Sequence, residues 1–128
     1  ILEGIAYEYK YYLDVLKGLV EDVSFSEVRA IGGGAKSQLF NSIKADVLGI
    51  PYIPLNRENT ATLGSAVVAG YGIGIYENME SIIDRIVKRQ DVIKPNLDNH
   101  SKYGRYAQIY LEILATLGST FEQLQGKE

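Results

Sequence analysis

Val28-Arg29-Ala30-Ile31-Gly32-Gly33-Gly34-Ala35-Lys36-Ser37 carries a strand, a run of glycines and a helix start in immediate succession. Phe25 to Ile31, with Val28 and Ile31, reads as a short strand. Ser37 is an N-cap candidate, and Leu39, Phe40, Ile43, Val47 and Leu48 recur at helical spacing behind it. Gly49 is placed to end that helix in a left-handed conformation, with Pro51 just beyond. Consecutive glycines carry an entropic penalty, so they call for a reason. One reason is close approach of a ligand, because backbone N–H groups without Cβ atoms can lie against an adenosine or a phosphate at a helix N-terminus. The other is a tight strand-to-helix turn. The local sequence fits both.

Two glycine motifs fail against this segment. A P-loop requires Gly, four residues, then Gly-Lys-Ser/Thr, but Ala30 and Ala35 stand at both glycine positions before Lys36-Ser37. The dinucleotide fingerprint needs a third glycine where Ser37 stands, and Pro51 to Arg57 holds no acidic residue.

Outward from this segment, the rest reads as helices and one further strand. Ile1, Leu2, Ile5, Ala6, Tyr9, Tyr12, Leu13, Leu16 and Val20 form an apolar stripe that is already running at the first residue without a capping side chain. The expectation is a helix that continues from upstream chain. Tyr52 to Leu55 reads as a short strand that Pro51 and Pro54 push toward a sheet edge or a short extended segment. Arg57 to Gly70 reads as a helix of small residues, broken by Gly70-Tyr71-Gly72-Ile73-Gly74. Asn78 caps a helix over Met79–Arg89, with Ile82, Ile83, Ile86 and Val87 inward. Asp91 to His100 reads as a linker. Tyr103, Tyr106, Tyr110, Leu114, Leu117, Phe121 and Leu124 then stripe a last helix as core or interface.

Composition bounds the function. The 128 residues suffice for one domain core, spanning residues 1–128. A net charge of −3 lacks the basic face that sequence-blind nucleic-acid or membrane-surface binding needs. Without cysteine there is no disulfide framework, thiol nucleophile or Cys-type zinc site. The longest uncharged run, Asn59 to Tyr76, is glycine-broken and short for a membrane span, and no charged-then-apolar leader opens the sequence. The expectation is a soluble cytoplasmic domain with no nucleic-acid or membrane partner.

The ordered set Val28-Arg29-Ala30-Ile31-Gly32-Gly33-Gly34-Ala35-Lys36-Ser37, Ile43-Lys44-Ala45-Asp46-Val47-Leu48-Gly49-Ile50-Pro51 and Leu63-Gly64-Ser65-Ala66 resembles the C-terminal domain of the FGGY carbohydrate kinases. Within that family it is most similar to the xylulose kinases, from Leu2-Glu3-Gly4-Ile5-Ala6 through Tyr71–Tyr76 and Pro95-Asn96 to the Tyr-rich last helix. The resemblance implies an α/β architecture of the actin-like (ribonuclease H-like) ATPase fold. This chain would form part of the C-terminal nucleotide-binding lobe, with its helices after a small sheet and an N-terminal sugar-binding lobe outside it. It implies transfer of the ATP γ-phosphate to a ketopentose, D-xylulose, with ATP and Mg²⁺ as cofactors and the N-terminal lobe as partner. Gly32, Gly33 and Gly34 would approach the adenosine and inner phosphates, and Ser37 and Gln38 the adenine region. The sequence departs from the family at Asn59-Thr60-Ala61-Thr62, where small or apolar residues are more usual.

The resemblance places the general-base Asp in the N-terminal part, so no catalytic residue and no metal ligand is assigned within these residues. Asp46, Glu58 and Asp84 read as structural or solvated, Lys36 as a solvated loop charge, and His100 as a neighbour of a helix cap. The chain alone is expected to be inactive, with homo-oligomers possible through its apolar stripe. Two alternatives stand beside the xylulose reading. One is another FGGY kinase acting on gluconate, ribulose, fuculose or glycerol. The other is a non-catalytic nucleotide-binding or interaction module, using the first and last helices and Tyr7, Tyr9, Tyr11 and Tyr12.

Overall fold

Ser37 and Gly49 bound the helix around which the chain is organised. In the computed structural model, which describes residues 1–20, 23–56 and 59–124, helix α2 (Gln38–Leu48) starts where Ser37 Oγ accepts a hydrogen bond from Phe40 N at 3.2 Å. It ends at Gly49, whose φ of 68° lies in the left-handed region. Strand β1 (Val28–Ala30) precedes it and β2 (Tyr52–Pro54) follows, paired in parallel with Val28 opposite Tyr52 and Ala30 opposite Pro54. A parallel pair needs a crossover, and α2 supplies it.

Helix α1 (Leu2–Leu19) has no side-chain cap bond at Ile1. It packs on α2, as does the long last helix α5 (Leu97–Leu124). Small residues make the approach possible: Ala6, fully buried, and Ala107 meet Val47 beside Tyr7. The ring of Tyr7 sits 6.1 Å from that of Tyr103 and 5.8 Å from that of Tyr110, both tilted. On the other side of α2 a second cluster joins Ala30, Ala45, Leu48, Ile50 and Tyr52. Helix α3 (Thr60–Gly72) and helix α4 (Met79–Ile86) pair with each other at the periphery. Asn78 Oδ1 caps α4 by accepting from Ser81 N, as its sequence position predicts.

Several expectations shift. The strand expected over Phe25–Ile31 narrows to Val28–Ala30, and the helix expected to reach Arg89 stops at Ile86. The linker is shorter, because α5 begins at Leu97 and takes His100 into its first turn. Strand β2 is an edge of the two-stranded sheet, as Pro51 and Pro54 imply, but isolated bridges from Tyr52 to Ile93 and from Leu55 to Arg89 partly cover its side away from β1. Pro54 leaves that second pairing as separate bridges, since it has no N–H to donate there. The buried face of α2 is Asn41, Lys44, Ala45, Val47 and Leu48, whereas Leu39 is 65% exposed. The apolar stripe thus holds at Val47 and Leu48, with Phe40 and Ile43 half-buried, and departs at Leu39, because α1 and α5 grip α2 further around its axis.

Candidate functional site

Gly32, Gly33, Gly34, Ser37 and Gln38 fall on one continuous turn between β1 and the first residue of α2. Within it, Gly33–Lys36 form a single 3₁₀ turn, and the Ala35 amide donates to the Gly32 carbonyl at 3.1 Å. The glycines are not equivalent. Gly32 has φ 82°, where side chains with a Cβ are strained, so its backbone requires glycine. Gly33 and Gly34 have no positive φ. Among the described residues, a Cβ at Gly33 would meet nothing within 4 Å, and one at Gly34 would make only an ordinary 3.8 Å contact with the Phe40 ring. The fold leaves room for a Cβ at both positions, and at Gly33 the bare backbone faces open space.

Ser37 Oγ is engaged as an acceptor in the cap, which leaves its hydroxyl hydrogen available to another acceptor. Gln38 is exposed at the first turn of α2, and Lys36 is exposed at the end of the 3₁₀ turn. The helix N-terminus behind the glycines favours an anion or a ligand acceptor.

Two buried polar side chains on α2 stand behind the turn, and nothing in the spacing of the apolar residues announced either. Asn41, 2% exposed, donates from Nδ2 to the Ala35 carbonyl at 2.7 Å. Lys44, 3% exposed, donates to the Tyr52 hydroxyl at 3.0 Å and lies 3.8 Å from the centre of the Phe40 ring. Burial pushes the Lys44 ammonium below its ordinary range. It pushes the Tyr52 hydroxyl up to about 12, with the neighbouring Tyr9 adding to the shift. The signal that could have found Asn41 was its place one turn after the cap residue Ser37, on the inner face of a helix entered through glycines.

The acidic residues weighed in sequence have structural uses. Asp46 accepts from Asn96 N at 2.7 Å and from Asn99 Nδ2 at 2.9 Å, so it ties α2 to the start of α5. The Asp46 carbonyl is 2.8 Å from His100 Nδ1, which must carry the proton and donate because a carbonyl can only accept. The imidazole lies against Gly49, where a Cβ would approach Cε1 to 2.6 Å. His100 is therefore part of the α2–α5 joint. Asp84, on α4, accepts a hydrogen bond from Lys88 Nζ through its main-chain carbonyl. Glu58 lies outside the described residues. Among the described residues no group of three His, Cys, Asp or Glu converges as a metal site, and no helix is long and apolar enough to cross a membrane. A groove of about 240 Å³ between α3 and α4 is lined by Leu63, Val67, Met79 and Ile83, and no charged side chain lines it among the described residues.

The architecture recurs in solved sugar kinases. The crystal structure of ligand-bound xylulose kinase from Lactobacillus acidophilus matches 96% of this chain and 24% of that one, with a TM-score of 0.77 at 20% identity. The fold is thus that of the sugar kinases, the actin-like ATPase fold. In sequence, residues 1–73 match the FGGY family of carbohydrate kinases, C-terminal domain, and the chain belongs to that family. It is 29% identical over 110 residues to the xylulose kinase of Staphylococcus epidermidis, covering 86% of this chain and 22% of that protein. It is 38% identical over 91 residues to the autoinducer-2 kinase of Yersinia enterocolitica, covering 66% of this chain and 17% of that protein. The chain spans about a fifth of the length of these curated relatives.

Proposed function

We propose that the chain is the nucleotide-facing part of an ATP-dependent sugar kinase that phosphorylates a ketopentose, with D-xylulose as the substrate. The observation that carries this reading is the contrast within the glycine run. Gly32 is demanded by its own φ, whereas Gly33 and Gly34 are demanded by nothing in the fold and leave an open backbone surface at a helix N-terminus. A nucleotide lying against that surface gives their missing side chains a purpose. Gly32, Gly33 and Gly34 would receive the adenosine and inner phosphates, with Ser37 and Gln38 toward the adenine.

The rest of the reaction lies with the N-terminal lobe. The carboxylate that takes the sugar hydroxyl proton and the sugar contacts belong there, and the two lobes close for in-line transfer. Mg²⁺ would neutralise charge on the phosphates. The described residues offer no carboxylate cluster to hold it, so none of them is given a metal-binding role. Exposed apolar residues on α1 and α3, among them Ile5, Leu16 and Val68, and Ile73 just past α3, are suited to packing against that lobe. A cytoplasmic setting belongs to the same reading. The likeness to both a xylulose kinase and an autoinducer-2 kinase makes the sugar the point to test. The protein carrying this domain, given Mg-ATP and a panel of pentuloses, gluconate, glycerol and other polyols, should turn over D-xylulose with the highest kcat/KM. Preference for another sugar would redirect the substrate assignment, and no turnover on any of them would end the kinase reading.

A further inference from the structure

We propose that Asn41 is a positioning residue: its amide sets the geometry of the glycine turn for nucleotide, and it is retained for that purpose although it is a poor core residue. The proposal rests on the reading that a nucleotide approaches Gly33 and Gly34.

The two ends of the Asn41 amide are treated differently. Nδ2 reaches the Ala35 carbonyl at 2.7 Å, but Oδ1 is sealed from solvent and has no hydrogen-bond partner among the described residues. An unsatisfied buried acceptor costs about 1–3 kcal/mol, and an apolar side chain of similar size would avoid that. Lys44, the other buried polar group on this helix, gives no such reason for an amide, since its ammonium already has the Tyr52 hydroxyl and the Phe40 ring. What Asn41 supplies and an apolar residue cannot is a donor to Ala35.

That donor acts at the junction where the glycines meet the core, since Ala35 packs against the cluster around Ala30 and Tyr52. Ala35 follows the three glycines directly, and its own amide closes the 3₁₀ turn on Gly32. Neither Gly33 nor Gly34 has a side chain or a crowding neighbour to limit its backbone. The methyl of Ala35 packs on that cluster but the residue is only partly buried, so without Asn41 its carbonyl can turn to water and take the glycines with it. A turn fixed before the ligand arrives avoids the ordering penalty on binding. Asn41 never touches the ligand in this scheme; it acts through Ala35.

The test uses the full-length protein carrying this domain. Asn41→Leu removes both the useful donor and the unsatisfied acceptor, and Asn41→Ala serves as a second variant that cannot overpack. Hydrogen exchange is read over residues 31–37 without nucleotide, followed by KM for Mg-ATP, kcat and melting temperature. We expect exchange at the Ala35 amide to quicken about fivefold or more, and KM for ATP to rise about five- to tenfold with a smaller change in kcat, as loss of one hydrogen bond implies. In Asn41→Leu the melting temperature should be held or raised. Unchanged exchange in the turn would overturn the proposal, as would a loosened turn with an unchanged KM. So would equal losses of melting temperature and activity in both variants, which mark an ordinary core residue. Exchange needs no nucleotide, so a wild-type protein without ATP affinity but with a turn that loosens in both variants would overturn only the nucleotide assignment and support Asn41 as the clamp.

Discussion

Helices α2 and α3 each follow a short β segment, yet the fold treats them oppositely. Helix α2 is capped by Ser37, ended by Gly49 and buried on a face that α1, β2 and α5 all reach. Its outer side is put to use through Asp46, which accepts from the beginning of α5. Helix α3 has no side-chain cap bond at Asn59 and carries no charged residue from Thr60 to Gly72. It buries Val67 and Gly70, while Val68 is 62% exposed and Ile73 beyond its end is 75% exposed. A helix that is apolar all round is one built to be covered on most sides. Two helices from one short chain therefore differ in how much of their packing the chain itself provides.

The same substitution should have opposite signs in the two helices, and this is the largest expected effect. Gly49→Ala forces a Cβ into the left-handed region and to 2.6 Å from the His100 ring. It should destabilise by about 2–4 kcal/mol. Gly64 lies within α3 with nothing within 4 Å of an added Cβ among the described residues. Gly64→Ala should stabilise by about 0.5–1 kcal/mol, because glycine is entropically unfavourable inside a helix. Urea denaturation of the two variants reads both numbers. Equal effects would break the comparison.

A pair of valines sharpens it next. Val47 is fully buried, and Val47→Ala should lose about 2–3 kcal/mol through lost transfer energy and the cavity left behind. Val68→Ala in the 128-residue chain should change stability by less than about 0.5 kcal/mol. In a protein that also carries the N-terminal lobe, the same Val68 change should become measurably destabilising. An identical small effect in both settings would mean that α3 stays uncovered.

The smallest effect is one of pH, and Tyr52 shares it with Tyr103 on α5, which burial and then its hydrogen bond to Glu3 also raise to about 12. The Tyr52 hydroxyl is raised to about 12 by burial and then by Tyr9, so its contribution is intact below the unfolded value near 10. That contribution is lost progressively as pH rises from about 10 toward 12. Lys44 works the other way: burial lowers its folded value, so stability rises with pH until the unfolded lysine also deprotonates. Urea midpoints taken from pH 8 to 12 should rise slightly and then fall. In Tyr52→Phe the fall should be shallower, and an unchanged slope would show that Tyr52 does not drive it.

Much of the local design was legible because it is written in short-range chemistry. The Ser37 and Asn78 caps and the left-handed end at Gly49 each depend on a few neighbouring residues, and all three stand as read. The turn holding Gly32 to Gln38 was legible for the same reason. What was hidden is the division within it, since positive φ at Gly32 and open space at Gly33 are properties of a folded path. Asn41 and Lys44 were hidden more deeply. A polar residue on a helix reads as solvent-facing until one knows that a carbonyl or a tyrosine hydroxyl is waiting inside. In sequence His100 reads as part of a linker because its partners, Gly49 and the Asp46 carbonyl, lie far back along the chain.

By itself, then, the sequence determined the order strand, glycine turn, helix, strand, together with the caps that bound α2 and the motif series that marks an FGGY carbohydrate kinase domain. Those depend on backbone preferences and on hydrogen bonds between near neighbours. Only the tertiary structure decided which face of α2 is inside, which carboxylate becomes a joint between helices, and which glycines the fold does not need. Burial is set by what approaches from elsewhere, and here α1 and α5 approach α2 from opposite ends of the chain.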